Sequence, residues 1–182
     1  MNTEPKVKRA LRSGTRPSIQ SERRLAMAMT RRQKGGERGE IEVVKNVDCP
    51  NCGQKLRCLP RGTPLVDVQC KRCIFRAQIK TNNCKPKNEI FGAGLEIVRK
   101  IHRAGYMLPP LIVSFKWKEK GKPRWTILFY PFIPMRSLSK KDHKDKRSGK
   151  PYPMFNYKLH GLQPLVLYPK KRMGTRCPVL ED

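Results

Sequence analysis

Residues 74–81 (IFRAQIKT) alternate strictly. Phe75, Ala77 and Ile79 point one way and Arg76, Gln78 and Lys80 the other, which predicts a β-strand with an apolar and a polar side. The segment before it behaves similarly: Val66 and Val68 share a face, with Leu65, Asp67 and Gln69 opposite. Residues 64–69 and 74–81 therefore read as two strands of a hairpin. Residues 111–117 (LIVSFKW) and 124–130 (RWTILFY) are β-branched and aromatic. Gly121 lies in the basic stretch between them, so a second hairpin is expected, ended by Pro131 and Pro134.

Helical patterns flank these strands. Ser18 can cap a helix that Lys34-Gly35-Gly36 terminates. Asn88 can cap another, running to about Ala104, with Ile90, Leu95, Val98 and Ile101 as its stripe and Gly105 at the C′ position. Gly92 and Gly94 inside it allow close packing on a sheet. Residues 40–47 (EIEVVKNV) read as a further strand, and 162–168 hold a short apolar run. Residues 1–16 form a basic tail without period, and 137–150 a basic loop with no core-forming pattern. The fold class is α/β: a central mixed sheet flanked by helices, within one domain over 17–182.

Charge changes the picture from fold to partner. Forty-one Lys and Arg face 14 Asp and Glu, a formal net charge of +27. Such a field attracts phosphate backbones and releases their counterions. The expected partner is DNA, with RNA as the alternative, and Lys140, Lys141, Lys144, Lys146 and Arg147 of the basic loop are candidate phosphate contacts. No apolar run approaches the roughly 20 residues of a spanning helix, so a membrane is not expected as partner. No GxxxxGK[ST] loop occurs, so nothing points to ATP chemistry.

Cys49, Cys52, Cys70 and Cys73 form C-x2-C-x17-C-x2-C. Two such knuckles are what a tetrahedral Zn²⁺ site requires, and four thiolates leave no open coordination position, so the expected zinc is structural. The ribbon spans 48–74, and its second knuckle serves as the turn of the first hairpin. An odd total of seven cysteines argues against a disulfide framework and for a reducing, cytoplasmic setting. Cys58, Cys84 and Cys177 are left over as structural or incidental.

Between Cys49 and Asn88 there is one acidic residue, Asp67, among many Lys and Arg. It precedes the knuckle, while Gln78 and Lys80 follow it, two apart and hence on one face. A carboxylate, an amide carbonyl and the Ile79 backbone carbonyl can hold Mg²⁺, and the Lys80 ammonium can stabilise a phosphodiester transition state. The bland reading of Asp67 is a surface acid paired with Lys71 or Arg76.

With CPNCG (49–53) and PLVDVQCKRCIFRAQIK (64–80), the chain resembles the PD-(D/E)xK nuclease superfamily, in particular the DpnI-like restriction endonucleases, whose catalytic domain carries an inserted zinc ribbon. The resemblance implies a restriction-endonuclease-like fold and a Mg²⁺-dependent DNA endonuclease. Asp67, Gln78 and the Ile79 carbonyl would lie at the metal, with Lys80 catalytic and an acid such as Glu22 approaching from the first helix. Gln78 stands where the family commonly has a second acid. The alternative is a zinc-ribbon protein that binds nucleic acid without cutting it, for example a degenerate nuclease or a ribosome-associated protein.

Overall fold

The computed structural model describes residues 31–144, 149 and 151–169. The expected tail at 1–16, the helix start at Ser18, Glu22, Lys146, Arg147 and Cys177 lie outside them. In chain order the elements are α1 (Arg31–Asn46), β1 (Leu56–Cys58), β2 (Val68–Cys70), β3 (Arg76–Asn82), β4 (Glu89–Gly94), α2 (Leu95–Arg103), β5 (Leu111–Glu119) and β6 (Lys122–Tyr130). A 3₁₀ turn (Met135–Ser137) then leads to β7 (Leu138–Lys144), β8 (Pro151–Lys158) and β9 (Leu165–Tyr168). This is a mixed α/β chain, rich in strand, with two helices among the described residues.

The larger sheet has six strands in the order β1-β2-β3-β5-β6-β9, and β3–β5 is its one parallel pair. Parallel neighbours need a crossover, and β4 with α2 supplies it. The predicted hairpin at Gly121 forms: Lys120 (φ 48°) and Gly121 (φ 76°) give the two left-handed residues of a tight turn, and Leu111 pairs with Tyr130 through to Glu119 with Lys122. The second sheet is antiparallel, in the order β4-β8-β7.

Both faces of the large sheet are covered. Ala77, Ile79, Ile112 and Phe129 pack with Val43 of α1, with Val47 just beyond its end, and with Leu56 and Val68. Leu111, Val113 and Phe115 pack on the other side with Leu95 and Val98 of α2 and Phe155 and Tyr157 of β8. The expected polar side of β3 is thus not a solvent face: Gln78 is only 4% exposed.

Four expectations from the sequence are overturned. Residues 40–46 are the end of α1, not a strand, and Val47 follows directly. Val43 and Val47 are both buried, four residues apart, and this helical period outweighs the β-propensity of valine. Gly35 and Gly36 do not stop the helix; they lie inside it. Gly39 sits where an added Cβ would come within 2.3 Å of the Thr81 side chain, so α1 crosses β3 at close range.

The helix predicted from Asn88 begins only at Leu95, and 89–94 form β4 instead. Here Gly92 lies against Phe155, with a Cβ position 2.4 Å from its ring. The glycine is spent on strand-to-strand contact, not on helix-to-sheet packing. The described first half of the expected basic loop is a strand. Leu138–Lys144 pair residue by residue with β8 as an edge strand, where lysines guard against edge-to-edge association.

Candidate active site

The ribbon is built first, because it fixes the hairpin. Cys49 N–H donates to the Gln54 carbonyl and Gly53 N–H to the Cys49 carbonyl, closing the first knuckle with Gly53 at φ 70°. At the second knuckle the N–H groups of Arg72 and Cys73 donate to Cys70 Sγ at 3.3 and 3.4 Å. The four Sγ atoms lie within 4.8 Å of one another, with Cys49–Cys73 at 3.6 Å and Cys52–Cys70 at 3.4 Å. A tetrahedron with metal–sulfur bonds of about 2.3 Å has edges of about 3.8 Å, so the four cysteines fit a single ion such as zinc. Hydrogen bonds from the Asn51 amide and the Phe75 N–H bring the Cys73 thiol down to about 6, while burial pushes Cys49 up to about 12. Cys58 lies outside the cluster.

The knuckle folds β2 back on β3, with Val68 opposite Ala77. Asp67 N–H then donates to the Ala77 carbonyl, and the Asp67 carboxylate accepts from Ile79 N–H at 2.7 Å. A side chain thus takes the place of the next rung of the ladder, which pins Asp67 to the middle residue of the Gln78-Ile79-Lys80 strip. Asp67 is not paired with Lys71 or Arg76.

Lys80 is largely buried beside it. Burial lowers the Lys80 ammonium below the usual lysine range, and the carboxylates of Asp67 and Glu40 pull it back up. Burial in turn raises Asp67, with the Ile79 N–H and Lys80 opposing.

Gln78 is placed differently. Its Oε1 accepts a very short hydrogen bond from the Tyr157 hydroxyl, inside the core. Burial and the Asp67 carboxylate hold the Tyr157 hydroxyl well above the usual phenol range, so it remains a donor. Asp67, Lys80 and the Gln78–Tyr157 pair therefore form one cluster, but the Gln78 oxygen already has a partner.

A fourth member comes from α1. Burial pushes the Glu40 carboxyl up to about 6; Asp67 and Glu37 push the same way and Lys80 opposes. The strand pattern of 40–47 hides Glu40 as a site residue. Read as a helix, Glu37 and Glu40 are three apart on one face. Arg61 pairs with Glu37 at 2.6 Å and ties the β1–β2 loop to the helix.

Glu40 and Lys80 line a groove of about 970 Å³ between α1, the end of β3 and the second sheet. Lys140, Lys141 and Lys144 lie along the exposed edge strand, on alternating faces, and Lys140 pairs with Asp142. Among the described residues, no helix is long and apolar enough to cross a membrane. No protein-family model matches this chain, and no curated protein sequence matches it either.

Proposed function

We propose that the protein is a metal-dependent endonuclease of the PD-(D/E)xK type, cutting phosphodiester bonds at the cluster of Asp67, Lys80 and Glu40. The observation that carries this reading is the joining of the Asp67 carboxylate to the Ile79 N–H, which holds an acid, just ahead of β2, against the strand that carries the largely buried Lys80. The order of elements supports it: a helix, three antiparallel strands, a crossover helix, and a strand parallel to the third. That order is compatible with a restriction-endonuclease-like core, to which the second sheet is an addition.

The donors suit a hard cation. Mg²⁺ keeps several waters and takes one or two carboxylates; Asp67 has one oxygen committed to Ile79 and the other available, and Glu40 and the Ile79 carbonyl complete the set. Gln78 becomes a positioning residue in this reading, since Tyr157 occupies its oxygen. A divalent ion here would supply a polarised phosphate and an activated water. Lys80 contributes positive charge that burial strengthens, directed at the pentavalent transition state. Glu40, with its carboxyl raised to about 6, is mostly ionised at neutral pH and can also accept a proton from an attacking water. The ribbon zinc does no chemistry and only holds the hairpin.

The test is cleavage of supercoiled plasmid and of single-stranded DNA and RNA with Mg²⁺ or Mn²⁺, beside Asp67→Ala and Lys80→Ala. Cleavage that needs the metal and is lost in both variants supports the proposal. Intact substrates with retained gel shifts for all three proteins would leave the binding-only reading.

A further inference from the structure

A sheet with one face in the core normally presents polar side chains on the other. The β4-β8-β7 sheet does so only in part: Lys141 and the hydrogen-bonded Asn156–Glu89 pair share its outer face with a group of rings. Its inner face carries Ile90, Phe155 and Tyr157, all essentially buried. Its outer face carries Phe91, Met154, Tyr152 and His143, brought together by the pairs His143 with Tyr152 and Lys141 with Met154. Phe91 and Tyr152 are 47% and 41% exposed. The His143 ring meets the Phe91 ring edge-on at 5.1 Å and lies 6.0 Å from the Tyr152 ring at 33°. These residues line the same groove as Lys80, with Arg38 and Lys116 on its other walls.

We propose that this face is a stacking platform for unpaired nucleobases, so that the groove takes a single-stranded or locally opened nucleic acid. The inference rests on the nucleic-acid reading of the site and names its substrate class. Flat, partly exposed rings on a chain of net charge +27 suit one occupant, although Glu40 and Glu42 also line the groove. Every base has a π-face, and aromatic rings on a sheet can reach it only when the base is not paired. Lys141, beside Met154 on the same face, and Arg38 across the groove are placed to meet the phosphates, while Lys116 is held by Glu42 and the Trp125 ring. A second copy of this chain is a poor occupant, because it would bring +27 against +27. An intact duplex offers the groove phosphates and base edges but leaves the rings without a partner.

The test uses full-length protein in buffer without added divalent metal, a labelled oligodeoxythymidine strand, an oligouridine strand and a matching duplex. Fluorescence anisotropy is expected to show either strand, or both, bound at least about tenfold more tightly than the duplex. Phe91→Leu and Tyr152→Leu keep the apolar contact and remove the ring. Each is expected to weaken strand binding by about tenfold or more, with duplex binding nearly unchanged. A strand containing 2-aminopurine gives a second readout on unaltered protein: stacking on a ring quenches its fluorescence. Equal affinity for strand and duplex, leucine variants that bind the strand like the parent, or no quenching on binding would each overturn the proposal.

Cleavage is scored separately with Lys80→Ala. Quenching without metal-dependent cleavage would sink the nuclease reading and keep the platform. Cleavage lost in Lys80→Ala but without quenching would do the reverse.

Discussion

The hydrogen bond between Tyr157 and Gln78 ties the second sheet to β3 one residue from Ile79 and two from Lys80, and its strength can be measured. Tyr157→Phe removes only the hydroxyl. The ring stays against Phe155, 4.9 Å away and nearly perpendicular. No cavity larger than an oxygen is opened, so the cost is electrostatic. The Gln78 side chain, 4% exposed, is left with a buried acceptor and no donor. Such a loss costs about 1–3 kcal/mol, which for a chain of this size lowers the unfolding midpoint by about 2–4 °C per kcal/mol. A midpoint about 6 °C lower is expected. Gln78→Met keeps the length of the side chain and strands the Tyr157 hydroxyl instead, at a similar cost. The double variant removes both polar groups and should lose less than the sum of the two, by about 1 kcal/mol or more. Urea unfolding of the four zinc-loaded proteins measures this directly. Additive losses, agreeing within about 0.3 kcal/mol, would refute the claim that the two groups satisfy each other in the core.

Three further outcomes follow from other parts of the molecule. Gly92→Ala places a methyl within 2.4–2.5 Å of the Phe155 ring and its backbone carbonyl. It should destabilise by about 1–3 kcal/mol in thermal or urea unfolding, whereas Gly94→Ala, with nothing within 4 Å, should cost little. Glu40 holds its proton more tightly when folded, at about 6 against 4.5 unfolded. Its contribution to stability is thus full below about pH 4.5 and lost as pH rises through about 6. Burial of Asp67 adds the same sign. Glu40→Gln should flatten that decline without abolishing it, and should raise the neutral-pH melting temperature in metal-free buffer while reducing the gain from added Mn²⁺. The ribbon should carry one zinc per chain by elemental analysis. Cys73→Ser or strong chelation should lower the melting temperature by well over about 10 °C, because thiolate–zinc binding free energy of about 10 kcal/mol enters the folding free energy.

The ribbon was legible from cysteine spacing alone, because metal geometry fixes the spacing and no distant contact can alter it. The Asp67–Lys80 hairpin was legible for a related reason: a turn clamped by Cys70 and Cys73 leaves little freedom in register. The β5–β6 hairpin was readable from its apolar runs and Gly121. What failed depended on partners far away in sequence. Valines 43 and 44 favour a strand locally, and only the packing of Val43 and Val47 against β3 and the ribbon makes that segment helical. Residues 89–94 become a strand because β8 pairs with them, and nothing local announces β8. The partner of Gln78 is illegible on the same ground, since Tyr157 lies 79 positions away. Glu40 was missed with its helix. His143 has no aromatic neighbour in its own strand, and its partners Phe91 and Tyr152 come from two other strands.

The central claim is that Asp67 anchors a divalent cation beside Lys80. Titrating zinc-loaded protein with Mn²⁺ and following the free-ion signal by electron paramagnetic resonance tests it most directly. The account predicts one Mn²⁺ site in addition to the ribbon, weakened tenfold or more by Asp67→Ala and undiminished in Lys80→Ala, where a neighbouring positive charge is removed. Equal Mn²⁺ affinity in the parent and Asp67→Ala would contradict it.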